Sequence, residues 1–264
     1  MKQKNLFLIL VLSFAFSPAR SQELKNFTLG FELGSEFVTG QLNKNWNVRK
    51  NVGSYYYDYD YGNAFGTDMT ISSVGIKPEF SFFKNRIGIS SGLLYTQISS
   101  SLGKYSSDIN PFFYLLNNGG TTNTEYFKVK NIQDDNDYLG IPLEVTLLPF
   151  QLEYIGFYLK AGVELNFRFH NKTDIQFYNA SMEPYEQDII RNTGITTNSI
   201  YSSFYSSVGM RFGKEDKIKY NLEILFPSTF LTTNNSALIV PDFYTGFKLS
   251  VLFPMKKSKI FKAE

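Results

Sequence analysis

The 264-residue sequence predicts an all-β fold: a transmembrane, up-and-down antiparallel β-barrel of eight strands. Three observations predict it. From Phe27 onward, eight stretches alternate apolar and polar residues with period two, the mark of strands with two unlike faces. The connections alternate between short turns and long polar segments. Every charge within the stretches has polar-face parity. Composition agrees, since 26 Phe, 18 Tyr and 1 Trp coexist with a mean hydropathy of −0.19. A chain can combine these if half of each strand meets lipid and the other half a polar interior. The longest apolar run, Leu6 to Phe16, is about half the ~20 residues a spanning helix needs.

The elements follow in order. Lys2 and Lys4, the run Leu6–Phe16 and the small residues Ala19 and Ser21 make residues 1–21 a secretory signal peptide. Its removal takes Lys2, Lys4 and Arg20 and turns the net charge from +2 to −1, so nothing basic points to nucleic acid. The barrel domain is 22–253. Its stretches place on their apolar faces Phe27–Phe37, Val74–Phe82, Ile87–Tyr95, Leu139–Leu147, Ile155–Phe169, Ile200–Phe212, Ile218–Phe226 and Phe243–Phe253. Short turns fall at Lys84-Asn85, Pro149–Tyr154 and Gly213–Lys217; long segments cover 38–70, 98–136, 170–198 and 227–241. Ten strands result instead if Phe112–Leu116 and Tyr126–Ile132 add a hairpin around Asn117-Asn118-Gly119-Gly120. Residues 254–264 form a short basic tail with Lys256, Lys257, Lys259 and Lys262.

A soluble barrel with an apolar interior is the competing reading. Loop asymmetry argues against it, as do the many Gly and Ser residues of the polar face, which suit a crowded concave lumen. So does the charge pattern. Lys77, Lys160, Arg168, Arg211, Lys219 and Lys248 are matched by Glu32, Glu36, Glu79, Glu144, Glu164 and Glu223. Equal numbers suit pairing inside a narrow lumen, where an unpaired buried charge is costly. On the lipid face a midplane Lys or Arg would cost about 2–4 kcal/mol.

Tyr138-Leu139-Gly140-Ile141-Pro142-Leu143 is similar to the Tyr-Leu-acid-Ile-Pro-Leu strand of small Gram-negative outer-membrane barrels, and Gly92-Leu93-Leu94-Tyr95 also resembles that porin-like, PorT-type group. Gly140 departs from the family's acid, and Glu144 is the nearest acid on that face. The resemblance covers about 25–253. It implies an outer-membrane location with long loops outside and both termini in the periplasm. It also implies outer-membrane lipid and the barrel assembly machinery as partners, with Phe253 as the strand-terminal aromatic read by that machinery.

Enzymatic chemistry is not expected. With no Cys, thiolate catalysis and cysteine-ligated zinc are excluded. His170 is the one histidine, expected at the rim of the fifth strand with polar-face parity. No cofactor or metal is expected either: Asp58 and Asp60 lack a full calcium loop, and Asp134-Asp135-Asn136-Asp137 reads as a solvated loop end. Trp46 with Tyr55, Tyr56, Tyr57, Tyr59 and Tyr61 offers a rigid aromatic loop surface, or an outer girdle. The expected function is a structural or interaction protein, its lumen plugged by paired charges and its loops contacting an extracellular or secretion-system protein. The alternatives are a narrow channel and an accessory role in secretion or envelope assembly.

Overall fold

The computed structural model describes residues 27–49, 65–83, 85–104, 113–117, 125–195, 197–214, 216–232 and 235–255. Residues 1–21, expected as a signal peptide, the tyrosine-rich stretch from Tyr55 to Tyr61 with Asp58 and Asp60, and the tail lysines lie outside them.

The strands in chain order are β1 (Phe27–Leu42), β2 (Val48–Arg49), β3 (Phe65–Phe82), β4 (Ile87–Ser91), β5 (Leu93–Lys104), β6 (Phe113–Asn117), β7 (Glu125–Gln151), β8 (Ile155–Phe177), β9 (Ile200–Phe212), β10 (Lys219–Phe230) and β11 (Ile239–Pro254). A 3₁₀ turn, Ala180–Tyr185, and a helix, α1 (Glu186–Asn192), link β8 to β9. Neighbouring staves are antiparallel, and β1 pairs with β11 (Leu29 opposite Phe253) as well as with β3 (Phe27 opposite Phe80), which closes the sheet. β4 and β5 form one stave broken at Gly92, where a Cβ would lie 2.1 Å from the Ile76 carbonyl oxygen. Eight staves result.

The three short turns fall where expected. The hairpin that would have made ten strands also forms, with Leu116 opposite Tyr126, but it adds no stave. β5 pairs with β7 from Asn131 to Gly140, and β6 takes over on the same flank from Val129 upward. β6 thus stands above β5 and lengthens the wall.

All four segments expected as long loops are shorter than their polarity suggests, two of them markedly. β7 has 27 residues and β8 has 23, so 98–136 and 170–198 are partly strand. At ordinary rise and tilt β7 spans about 65 Å of the barrel axis, far more than the ~25 Å apolar band of a membrane barrel.

The extra length has the opposite polarity. In the lower zone Leu139, Ile141, Leu143, Val145 and Leu147 point outward, each 45–53% exposed, as do Phe157, Leu159, Val163, Leu165 and Phe167 on β8. So large an apolar surface is stable only against lipid. From Ile155 to Phe167 it covers about 30 Å along the axis. Above Tyr95, Leu139 and Phe169 the outward positions become Gln97, Ser99, Asp135, Asp137, Lys172 and Asp174. The inward ones become Ile98, Leu102, Ile132, Ile175 and Phe177, which are buried with Trp46, Met69, Phe113, Leu115, Phe127 and Val129 in the main apolar core. Below the boundary the barrel is apolar outside and charged inside; above it, the reverse.

A bulge corrects the expectation for His170. The β7–β8 register passes from Asp137 opposite His170 to Tyr138 opposite Arg168, leaving Phe169 over. Parity flips there, and His170 is exposed on the outward face instead of lying on the lumen face.

Candidate functional site

The lumen is the candidate site. Its charged residues are all placed by period two on strands whose other face meets lipid, and of the twelve expected there all but the half-buried Arg168 are buried. Their contacts form two groups. In the middle, Lys77 bridges Glu32 and Glu144, the latter at 2.7 Å. Lys160 lies 2.6 Å from Glu223, 3.7 Å from Glu144 and 4.0 Å from Glu32. Lys248 faces Glu36 at 3.5 Å and Glu32 at 3.8 Å. Towards the turn end, Arg211 holds Glu79 through a two-pronged contact, both bonds 3.0 Å, and its Nε donates to Asn221 Oδ1. The buried Lys219 lies within electrostatic reach of Glu79.

Hydroxyl groups also donate to two of these carboxylates. Tyr205 and Ser90 donate to Glu144 at 2.5 and 2.7 Å, and Tyr158 and Ser207 donate to Glu223 at 3.0 and 2.8 Å. The two tyrosines find room because each faces a glycine across the ladder: Tyr158 opposite Gly209, Tyr205 opposite Gly162. A Cβ on Gly209 would stand 2.3 Å from the Tyr158 ring. Filled in this way, the lumen around Glu144 and Glu223 is occupied by side chain.

The loop end is closed by the chain itself. Asp134, fully buried on β7, accepts from Ser236 Oγ at 3.0 Å, the Ala237 N–H at 2.8 Å and Thr173 Oγ1 at 2.9 Å. Residues 235–239 are thereby drawn into the mouth, where Tyr138 donates to the Asn235 carbonyl and the Trp46 indole to that of Ala237. The Asp134–Asp137 run is therefore not a solvated loop end. Its first member is an internal tether, since β7 continues through it and points Asp134 inward. Trp46, expected on a loop surface, has its side chain inside, 3% exposed. Ile189 of α1 completes the lid.

No family model matches the sequence, and no curated protein does. Among solved structures the chain is similar to the outer membrane protein OprG from Pseudomonas aeruginosa, at 9% identity and a TM-score of 0.41 over 88% of this chain and 98% of that one. It is also similar to Ail, the attachment invasion locus protein of Yersinia pestis (9%, 0.32, 86% and 98%), and to the translocator domain of the autotransporter NalP from Neisseria meningitidis (5%, 0.32, 96% of each). The PorT-type resemblance rests on the residues quoted for it alone.

Tyr158 and Tyr205 are the lumen residues that the sequence reading passed over. Their parity places them with Lys160, Glu164 and Ser207, so the signal was present, although aromatic character assigns such residues to the lipid face at first sight. At the short-turn end, outside the membrane-spanning segments, the hydrogen bonds that the Lys214 ammonium donates to Tyr154 and Glu153 hold it above the usual lysine range.

Proposed function

We propose that the protein is an outer-membrane anchor that conducts no ions and presents its extended loop end to a protein partner outside the cell, with its termini in the periplasm. The single observation that supports this is the double closure of the lumen, by the ion-paired web in the lipid-spanning zone and by the tethered segment 235–239 above it. A wall that continues well above the apolar belt with a polar outer face and its own core provides a rigid display surface, which a bare pore does not need. Lipid and the barrel assembly machinery are its partners in the membrane, and no enzymatic step is assigned to it.

Planar-bilayer recording tests the reading. Purified barrel should give no stable conductance steps, and reproducible steps would establish the channel alternative. The PorT-type resemblance supports a narrower version, in which the partner belongs to a secretion or assembly system. Co-purification under mild detergent should then bring down an envelope protein of that kind, and a deletion strain with normal secretion would remove this version.

A further inference from the structure

The mid-lumen charges do not balance. Glu32, Glu36, Glu144 and Glu223 share three ammonium groups, those of Lys77, Lys160 and Lys248. Glu164 is 8% exposed and, among the described residues, has no cationic nitrogen within 4.0 Å; its polar contacts are the Thr96 hydroxyl at 3.5 Å and the Asn166 side chain. At mid-lumen five carboxylates therefore face three cations, the lumen's other cations Arg168, Arg211 and Lys219 standing towards its two ends, in a zone walled by lipid where uncompensated charge is expensive. The Arg211–Glu79 pair lies nearer the turn end and is already matched to itself.

Glu164 and Glu36, which shares Lys248 with Glu32, meet at one cavity. Glu36 and Glu164 line a space of about 10 Å³ with Ser73, Thr96, Ser203 and Tyr244. That is roughly the room of one water-sized particle. Ser73 Oγ is buried there with no hydrogen-bond partner. Beside it lies the fully buried Asn166, whose side chain is in hydrogen-bond contact with Glu164; its Oδ1 and Glu164 Oε1 stand above Gly140, 2.4 and 2.9 Å from where a Cβ would be. The polar donors are all oxygens, the set that hard cations take in preference to nitrogen- or sulfur-seeking metals.

We propose that this cavity binds a hard inorganic cation, calcium by its charge, held between Glu36 and Glu164 and completed by the neighbouring hydroxyls. A divalent ion matches the local excess of two carboxylates at mid-lumen. It also gives Ser73 Oγ a polar neighbour that the chain itself does not supply. The site lies beneath the tethered segment and is a structural one, independent of whether the loop end binds a partner.

The test uses the full-length barrel purified in detergent, treated with EGTA, and exchanged into choline buffer. Its metal content is measured before treatment, and the temperature at which it loses heat-modifiable migration is followed against added CaCl₂ or NaCl. Co-purifying calcium near one equivalent, and a midpoint that climbs with the logarithm of free calcium, are expected. Glu164→Gln should abolish both. A midpoint that responds to sodium alone and loses that response in the variant retains the site and makes sodium its occupant. No bound metal with a flat midpoint in both salts overturns the proposal, because protons then balance the carboxylates. An unchanged response in Glu164→Gln overturns it too. Should that variant fail to fold, Glu36→Gln and the wild-type measurements decide alone.

Discussion

Lys160→Met tests the lumen web at its centre. The ammonium lies within 4.0 Å of three carboxylates, with Glu223 at 2.6 Å, and both members of that pair are almost fully shielded from solvent. Methionine keeps most of the length and the apolar stem but removes the charge, so among the described residues Glu223 loses its sole cation within 4.0 Å and Glu144 keeps only Lys77. Breaking a buried pair from one side costs about 3–5 kcal/mol, because the surviving charge remains buried. The folded-to-unfolded ratio should therefore fall by about two to three and a half orders of magnitude. Urea titration in lipid vesicles, followed by the shift between folded and heat-denatured migration, measures this. Adding Glu223→Gln should recover part of the loss, with a coupling of about 0.5–3 kcal/mol. A Lys160→Met barrel within about 1 kcal/mol of wild type, with no coupling to Glu223, would refute the idea that ion pairing holds the lumen together.

Three further outcomes are expected. Gly209→Val should destabilise by about 1–3 kcal/mol in the same titration, since its side chain would invade the Tyr158 ring, whereas Gly194→Ala, in open space although at positive φ, should cost less. Asp134→Ala should strip the acceptor from Ser236 and the Ala237 N–H, costing about 1–3 kcal/mol per orphaned group, and hydrogen exchange at 235–239 should accelerate while the lipid-zone strands stay protected. Trp46, the single tryptophan, should emit in the blue and resist both acrylamide and lipid-borne bromine quenchers, because it lies inside the loop-end core away from both solvents.

The lipid zone was legible because lipid and lumen impose opposite demands on successive residues, so parity alone sorted Glu32, Lys77, Glu144, Lys160 and Lys248 inward. Above the boundary the same period persists in Ile98, Leu102, Ile132 and Ile175. There the outward residues are Ser, Gln, Asp and Lys, types that strands disfavour or that loops share, and the segments read as loops. The bulge at Phe169 could not be read from alternation, because a register slip of one residue leaves no trace in composition. The Asp134 tether joins residues about a hundred positions apart, and nothing local to either partner announces it. The parity of Tyr158 and Tyr205 was readable, but their role depends on glycines on the neighbouring strand.

The reversal at Tyr95, Leu139 and Phe169 also gives the molecule a waterline. Sliding two residues deeper would push Asp137 and His170 into hydrocarbon, and rising by two would bring Leu139 and Phe167 into water, so neither direction is cheap. The barrel's depth is thus held to within about one residue of strand rise. In a bilayer of different thickness the lipid must stretch or thin around it, and the protein carries its own fixed draught from one membrane to the next.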